Sequence, residues 1–537
     1  MGACDANGSD SGGCCGPTGC DPAPGAPARP AARSAPEHNG ASDVAVPTTP
    51  QTTQRLRRVQ DAPLDGKVVL VRVDHNCVKG GRMTDAFRVD STIATLYNIV
   101  ERGGRPILMT HVGRPYDKKS RAIAVHEDDA VTPVVRYLQH KLGVVFAVPD
   151  FRVDATKGIV DIDTSVNWLI QDLRARRIGG IYLPNTRWFL GEEGLAAGDC
   201  GARAARDRFA TQLAGLADVF VNDAFGSWQP HSSTLGISRL IPSYAGLLMQ
   251  KEVAALGALI HPRRPFLAVI AGSKLDTKIG TIRAVAGRAD HVMLGGQLYN
   301  AYIAAKYGVS IAGVAPEDVA LAREELFVPE VESKLVHLST VVESETIDGC
   351  GCVPSGGECG TLSEAPGAGK RFGPVRPRRV AELKAGESVG YFLDVAAESF
   401  AEDAVRAVVS NAATIFVNAV MGLTPSGFHE GTEALDATIA ANADARKFFG
   451  GGDTLHEFKS LSPGLYMSAL EDPKYYLFTG GGTVLKALEM GGAEGLGTVA
   501  ALMGEDGGET VAGVGAKPKC MQLSSCDCGP TDPMLHP

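Results

Sequence analysis

The sequence predicts an α/β protein built on parallel sheets, and three observations support this prediction. Short unbroken runs of Val, Ile and Leu alternate with amphipathic segments, which is typical of strands buried on both faces of a parallel sheet. The chain has 537 residues, 44% hydrophobic and 21% charged, which is enough for two ordinary domains. Polar residues follow several apolar runs, at the edge where open parallel sheets bind ligands.

The apolar runs are the strand candidates, and they fall into two groups. The first half of the chain contains runs at 68–73, 106–110, 181–183 and 217–221, and the second half contains runs at 266–270, 291–294, 414–417 and 475–478. The segments between them have a helical pattern, so strands and helices alternate as in α/β layers.

Three segments differ in composition from this pattern. Residues 1–56 are rich in Gly, Ala, Pro, Ser and Thr and have few large apolar groups, so burial cannot offset the entropy of ordering them. We predict a disordered tail there. A low-complexity stretch at about 345–378 and a closing stretch at 505–537 are predicted to be an insert and a second tail outside the core.

Charge and hydropathy exclude two classes of partner. The formal net charge is -9 and the isoelectric point is about 5.8, which gives no footprint for nucleic acid. No run approaches the roughly 18 apolar residues of a membrane span, and the start of the chain lacks the pattern of a signal peptide. We therefore expect a cytoplasmic protein without nucleic-acid or membrane partners.

Most of the cysteines lie outside the strand and helix pattern. Cys77 and Cys200 belong to the predicted folded body, and the other ten are Cys4, Cys14, Cys15, Cys20, Cys350, Cys352, Cys359, Cys520, Cys526 and Cys528. Their Cys-x-Cys spacings are compatible with a soft-metal or redox site, but they lack the paired C-x₂-C of a zinc module. Functionally silent tails are the preferred interpretation, with metal binding as the alternative.

Two glycine turns give the strongest functional signal. The first is Gly450, Gly451 and Gly452 followed by Asp453 and Thr454, and the second is the TGGG segment at 479–482. Each precedes a helical pattern, so backbone N–H groups and a helix N-terminus could bind phosphate. Asp453 is placed to hold the Mg²⁺ of a nucleotide. Ordinary flexible turns are the alternative.

Cations follow the strands of the first half. The polar residues at these positions are Asp74, Asn76, Arg88, His111, Arg114 and Arg187. Arginine binds carboxylate or phosphate through a bidentate fork, so this set suits a small and highly charged acid. Surface ion pairs, and a structural role for His111, are the alternatives.

The second half carries a lysine pair instead. Lys274 and Lys278 lie one turn apart where a strand passes into a helix, and both could face phosphates. The spacing is not that of the Walker P-loop, and no G-x-G-x-x-G fingerprint of a Rossmann dehydrogenase follows the first strand.

Eight segments in order resemble motifs of the phosphoglycerate kinase family. They are RVDHN at 72–76, TDAFR at 84–88, THVGRP at 110–115, NTRWF at 185–189, VNDAFG at 221–226, KLDTK at 274–278, GGGDT at 450–454 and TGGG at 479–482. The resemblance spans about 64–503. It implies two doubly wound parallel-sheet domains joined by a helix and a hinge, in a monomer that uses ATP or ADP with Mg²⁺.

The resemblance also implies domain boundaries. The N-terminal domain at 57–245 would bind 3-phosphoglycerate or 1,3-bisphosphoglycerate, and the C-terminal domain at 263–504 would bind the nucleotide. An interdomain helix at 246–262 would connect them, and hinge closure would bring the two substrates together.

Roles for single residues follow from the same resemblance. Arg88 and Lys274 would be catalytic, and the acid substrate would contact Asp74, Asn76, Arg88, His111, Arg114 and Arg187. The nucleotide would contact Lys274, Lys278, Gly295, Asn418, Gly450, Gly451, Gly452, Asp453 and Thr454. Asp453 would also bind the metal.

The sequence departs from the family at several of these places. The segment at 227–233 is one residue shorter than the family's and lacks its arginine, Pro425 replaces the acid expected at the ribose, and Gln297 replaces a glycine. Two hypotheses therefore stand: an active phosphoglycerate kinase, or a non-catalytic relative that binds nucleotide or metabolite and acts through its Cys-rich tails.

Overall fold

A computed structural model describes residues 55–192, 200–272, 275–276, 278–345 and 372–504. Lys274 lies outside the described residues, and so do the ten cysteines assigned above to the tails and the insert. Cys77 is buried and unpaired with another cysteine.

The described chain contains 25 strands and 17 α-helices. The strands are β1 (Arg55–Leu56), β2 (Val68–Val73), β3 (Val78–Lys79), β4 (Arg82–Met83), β5 (Arg105–Met109), β6 (Tyr116–Asp117), β7 (Ala122–Ile123), β8 (Phe146–Ala147), β9 (Val153–Asp154), β10 (Gly158–Ile159), β11 (Gly180–Tyr182), β12 (Val219–Asp223), β13 (Ser243–Ala245), β14 (Phe266–Gly272), β15 (His291–Gly295), β16 (Ser310–Ile311), β17 (Leu335–Val336), β18 (Thr340–Ser344), β19 (Val375–Arg379), β20 (Ser388–Val389), β21 (Tyr391–Val395), β22 (Thr414–Asn418), β23 (Arg446–Gly450), β24 (Tyr475–Phe478) and β25 (Met503–Gly504). The helices are α1 (Phe87–Asp90), α2 (Ile93–Glu101), α3 (Thr132–Leu142), α4 (Val166–Arg174), α5 (Cys200–Gly215), α6 (Leu247–Ile260), α7 (Ile279–Ala286), α8 (Gly296–Tyr307), α9 (Pro316–Glu325), α10 (Pro329–Glu332), α11 (Glu398–Ala401), α12 (Asp403–Asn411), α13 (Glu430–Ala441), α14 (Gly452–Leu461), α15 (Pro463–Glu471), α16 (Gly481–Glu489) and α17 (Gly497–Ala500).

The first large sheet has six parallel strands in the order β13-β12-β2-β5-β11-β8. The central strand β2 is buried along its whole length, and its side chains alternate between two cores. Val69, Val71 and Val73 pack with α2 and α3, whereas Val68 and Leu70 pack with α4 and α5. The alternation of strand side chains thus requires helices on both faces.

The second large sheet has six parallel strands in the order β17-β15-β14-β22-β23-β24. Its core is formed by these strands and the helices that follow them. The predicted α/β class with two doubly wound parallel sheets is confirmed. None of the helices in the described ranges is long and apolar enough to cross a membrane.

Two short strands occupy places where the sequence predicts irregular chain. Strand β19 (Val375–Arg379) falls in the predicted insert but pairs antiparallel with β18, which pairs in turn with β21. Strand β1 falls in the predicted tail but pairs antiparallel with β25. Both predictions were wrong for these residues. Their composition alone favours irregular chain, but each segment forms backbone hydrogen bonds with a strand that is distant in the sequence, and these bonds hold it in an extended conformation.

Helix α6 connects the two sheets. The Thr95 hydroxyl accepts a hydrogen bond from the Leu247 N–H at 2.9 Å, and the Asp223 carboxylate accepts one from the Met249 N–H at 3.1 Å. These side chains satisfy N–H groups that have no partner within the helix. The end of β12 therefore fixes the start of α6.

Candidate active site

A cavity of about 340 Å³ opens beside the carboxyl ends of the first sheet. Four residues predicted for an acid substrate line it: Asn76, His111, Arg114 and Arg187. The other lining residues are Arg72, Gly113, Glu192, Gly226, Ser227, Trp228, Gln229 and His231. Two of the three arginines named from the sequence, Arg114 and Arg187, are thus brought together, with polar neighbours that the sequence reasoning missed.

Arg72 is the main residue that the sequence reasoning missed. It is buried in β2, where its guanidinium donates to the Ser233 hydroxyl at 3.0 Å and to the backbone oxygen of Val73. Burial lowers its pKa, and the nearby carboxylates of Glu192 and Asp74 oppose that shift. A charged residue inside an otherwise apolar strand was the available signal, because such residues are almost never buried unless they are paired.

His111 is held in one tautomer by Arg72. The Arg72 guanidinium donates to His111 Nδ1 at 2.9 Å, so that nitrogen must be unprotonated. Burial lowers the pKa of His111, and the charges of Arg72 and Arg187 lower it further. The imidazole is therefore neutral and carries its proton on Nε2.

Asp74 and Arg88 form an ion pair next to this cavity without lining it. Arg88 Nη1 lies 3.2 Å from Asp74 Oδ2, whereas the buried Asp74 Oδ1 has no hydrogen-bond partner in the described residues. Arg88 belongs to α1, which begins where Asp85 accepts a hydrogen bond from the Phe87 N–H at 3.0 Å. An unpaired buried carboxylate oxygen calls for a donor from elsewhere.

Backbone contacts fix Asn76 and Arg187. Asn76 Oδ1 accepts a hydrogen bond from the Gly113 N–H at 3.1 Å, and the Arg187 guanidinium donates to the Gly113 oxygen. Arg114 is exposed at the cavity rim. The loop that follows β5 is thereby tied to the residues that follow β2 and β11.

His75 lies behind the cavity and is fully buried. Its two ring nitrogens lie 2.9 Å from the Tyr182 hydroxyl and 2.9 Å from the Thr92 hydroxyl. Its backbone N–H donates to Thr110 Oγ1 at 2.9 Å. Burial lowers its pKa to about 3, so the ring is neutral.

Predicted phosphate-binding residues of the second half meet at the carboxyl ends of β22 and β23. Lys278 Nζ donates to Asn418 Oδ1 at 2.6 Å, and the Asn418 amide donates to the backbone oxygen of Gly450. Burial lowers the pKa of Lys278, and the charge of Asp453 opposes that shift. Lys278 therefore lies close enough to Asp453 for their charges to interact.

Both glycine turns open helices, as the sequence predicts, and they pack against each other. A Cβ on Gly481 would lie 2.2 Å from the backbone nitrogen of Gly451, so only glycine permits this contact. Gly451 has a φ of 133°, a conformation that glycine adopts without strain. Helices α14 and α16 begin within one residue of these positions.

The remaining predicted nucleotide residues lie at the same edge. Gly295 ends β15, and a Cβ there would lie 2.7 Å from Met421 Sδ. Thr454 is buried in the first turn of α14, next to the exposed Asp453. The Asp453 carboxylate makes no hydrogen bond or ion pair within the described ranges, and exposed carboxylate oxygen suits a hard divalent cation such as Mg²⁺.

The two halves of the site touch at a pair of glycines. A Cβ on Gly226 would lie 2.0 Å from Asp74 Oδ2, and a Cβ on Gly480 would lie 2.5 Å from Gly226 Cα. The turn that carries Gly480 therefore lies against the cationic cavity and the Asp74–Arg88 pair.

Comparisons with known proteins agree with this arrangement. Residues 59–491 match the model of the family described as phosphoglycerate kinase. The phosphoglycerate kinase of Roseiflexus sp. (strain RS-1) is 31% identical over 81% of this chain and 96% of its own. The phosphoglycerate kinase of Pelotomaculum thermopropionicum is 33% identical, and the match also covers 81% of this chain and 96% of that protein.

Solved structures share the fold. Phosphoglycerate kinase from Coxiella burnetii aligns with a TM-score of 0.59 at 23% identity, over 83% of this chain and 99% of that one. The enzyme from Pyrococcus horikoshii OT3 aligns with a TM-score of 0.59 at 20% identity, over 83% and 98%. With most of the chain covered by the family match, the protein belongs to the phosphoglycerate kinase family.

Proposed function

We propose that this protein is a phosphoglycerate kinase, which transfers a phosphoryl group reversibly between 1,3-bisphosphoglycerate and ADP to give 3-phosphoglycerate and ATP. The observation that carries the proposal is the contact of Gly480 with Gly226, which places the glycine turns beside the cationic cavity and Asp74. Family membership of residues 59–491 supports the same reaction.

In this proposal the acid substrate binds in the cavity of the first half. Arg114 and Arg187 supply charge for its phosphate or carboxylate, with Asn76 and His111 as further polar contacts. Asp74 lies beside the cavity, and its Oδ1, which is buried without a partner in the described chain, would accept from a substrate hydroxyl once the hinge has closed.

The nucleotide binds along the carboxyl edge of the second sheet. Lys278 and the N–H groups of Gly450, Gly451 and Gly452 contact phosphates, with Gly295, Asn418 and Thr454 alongside. Mg²⁺ would be held by Asp453 and would neutralise charge on the phosphates when bound.

The transfer itself requires positioning and cations. In the direction of ATP use, a carboxylate oxygen of 3-phosphoglycerate bonds to the γ-phosphorus while the bond from that phosphorus to the β-γ bridging oxygen breaks, leaving ADP. Arg88 stabilises charge on the transferring group, with Lys274 from the nucleotide side. Closure of the hinge would exclude water, which would otherwise hydrolyse the acyl phosphate.

The proposal extends to the state and location of the enzyme. We expect a monomer that acts in the cytoplasm on small-molecule substrates. Size-exclusion chromatography with light scattering tests the first expectation, and cell fractionation tests the second.

The deciding experiment measures ATP consumption with and without 3-phosphoglycerate. Arg88→Ala should lower kcat by about 100-fold or more, because one lost stabilising contact in the transition state has that effect. Lys274→Ala should also lower kcat and controls for contaminating enzyme. Arg174→Ala, which removes an exposed charge from α4, is the matched control and should act as wild type.

Two outcomes would contradict the proposal. If Arg88→Ala retained wild-type turnover, the role of Arg88 would be wrong. If the wild type bound Mg·ADP by calorimetry but showed no turnover dependent on 3-phosphoglycerate, the non-catalytic hypothesis would replace the kinase.

A further inference from the structure

Glu457 makes a hydrogen bond to a neighbouring segment at the edge of the proposed nucleotide site. It lies in α14, is half-buried, and accepts a hydrogen bond from the Thr424 hydroxyl at 2.8 Å. Its side chain makes no other hydrogen bond and no ion pair within the described residues. One carboxylate oxygen is therefore fixed in position, and the other has no partner in that part of the chain.

The pair joins two segments at the carboxyl edge of the second sheet. Thr424 begins a short 3₁₀ helix after β22, and Glu457 lies in the α-helix after β23. Strands β22 and β23 are parallel neighbours, so both segments leave the same edge of the sheet. Ligands of open parallel sheets bind at that carboxyl edge.

The position of Glu457 on its helix relates it to the phosphates. Asp453 and Glu457 are four residues apart in α14, so they share a helix face at a separation of about 6 Å along the axis. Phosphates bound at the glycine turn would lie at the N-terminus of this helix. A nucleotide whose ribose lies over the segment after β22 would meet Glu457, which lies one helical turn beyond Asp453.

We propose that Glu457, held in place by Thr424, accepts hydrogen bonds from the ribose hydroxyls of the bound nucleotide. This inference rests on the proposed function, because it assumes that the glycine turns bind the phosphates of a nucleotide. A carboxylate has two acceptor oxygens and suits a vicinal pair of hydroxyls. Pro425, the residue after Thr424, has no polar side-chain atom that could accept a hydrogen bond from these hydroxyls.

Calorimetric titration with Mg·ADP, Mg·2′-deoxy-ADP and Mg·3′-deoxy-ADP tests this proposal without requiring turnover. The wild type should prefer ADP over the deoxy analogues by about tenfold, as expected for a hydrogen bond to a charged group. Glu457→Gln should lose most of this preference, and Thr424→Val should lose part of it. Glu471→Gln, an exposed acid at the end of α15, is the matched control and should keep it.

Several results would overturn the proposal. They are equal affinity of the wild type for ADP and both deoxy analogues, equal weakening of all three ligands by Glu457→Gln, and absence of nucleotide binding. Equal weakening would assign Glu457 to anchoring the loop alone. A normal ribose preference without turnover would leave this proposal standing while the proposed kinase activity failed.

Discussion

At the scale of single residues, His75 shows how one side chain is accommodated behind the site. The Thr92 hydroxyl donates to the backbone oxygen of Val89 at 2.9 Å, so it accepts from His75 Nε2–H. His75 Nδ1 then accepts from the Tyr182 hydroxyl. With a neutral ring, every donor in this series of hydrogen bonds has an acceptor. A proton added to Nδ1 would point at the Tyr182 hydroxyl, which would then have to accept a hydrogen bond instead of donating one.

His75 makes folding sensitive to acid. Its pKa of about 3 in the folded protein is below the value of about 6.5 in an unfolded chain, so between those values the unfolded state binds one more proton. Between about pH 6.5 and pH 3 the free energy of unfolding should fall by up to about 1.4 kcal/mol for each pH unit from this residue alone. Urea unfolding of His75→Phe from pH 7 to pH 4 should show a shallower pH dependence than wild type, and parallel curves would contradict this.

Sequence reasoning named four of the residues that line the cavity because motif residues follow strands, and parallel strands end at one edge. Asn76, His111 and Arg187 could be named on that basis. Arg72 was missed because its side chain belongs to the interior of β2 and reaches the cavity only through packing with Ser233 and His111. The coupling of Thr424 to Glu457 could not be predicted, since 33 residues separate them in sequence.

At the scale of elements, the glycine turns are constrained by their contact with each other. Gly481 has no room for a side chain, whereas a Cβ on the adjacent Gly482 would meet no atom within 4 Å. Both residues lie in the first turn of α16, so they form a matched pair for substitution.

This pair predicts opposite effects of one methyl group. Gly481→Ala should destabilise the protein by about 2 kcal/mol or more, because the backbone of Gly451 must move. Gly482→Ala should be neutral or stabilise it by up to about 1 kcal/mol, since alanine favours helix over glycine. Thermal unfolding of both variants tests this, and equal midpoints would refute the contact.

Helix α6 is linked to the second glycine turn by a buried acid. Glu252 Oε1 accepts hydrogen bonds from the Thr479 N–H at 2.9 Å and from the Thr479 hydroxyl at 2.8 Å. Burial raises the pKa of Glu252 to about 8. The carboxyl group is therefore mostly protonated at neutral pH.

Glu252 should oppose stability at alkaline pH. Its unfolded pKa is about 4.5, so between about 4.5 and 8 the folded state binds one more proton, and the free energy of unfolding falls as pH rises through that range. Glu252→Gln keeps the acceptor for Thr479 and removes the titrating group. Its unfolding free energy from pH 6 to pH 9 should decline less than that of wild type, and an identical decline would contradict the assignment.

At the scale of the whole molecule, the last residues of the described chain return to the first. The Arg57 N–H donates to the Leu502 oxygen at 2.8 Å, and the Arg57 guanidinium donates to the Ala501 oxygen at 2.6 Å. Val499 and Leu502 are 1% and 0% exposed. Composition did not reveal this contact between the ends of the described chain, because β1 and β25 are two-residue strands that are stabilised by pairing with each other.

Two truncations test the closure. A chain of residues 55–504 should unfold at the same temperature as the full chain, whereas a chain of 55–496 should be destabilised by about 4 kcal/mol or more, because two buried apolar side chains and the contacts of Arg57 are lost. Equal stability of the two truncated chains would show that the closing segment contributes nothing.

Arg57 has a mechanical consequence for closure between the sheets. Its N–H bonds to Leu502, where the chain comes back from the second sheet, and its oxygen accepts from the Ala245 N–H at 2.7 Å, where the chain leaves the first. The chain thus passes between the two sheets twice, once after Ala245 and once before Leu502, and Arg57 lies between these two connections. At the usual strand spacing the two connections are about 10 Å apart. Two sheets connected at two neighbouring points can rotate relative to each other about the line through those points, whereas rotation about other axes is resisted. The two bound substrates should therefore approach each other along the same path in every closure.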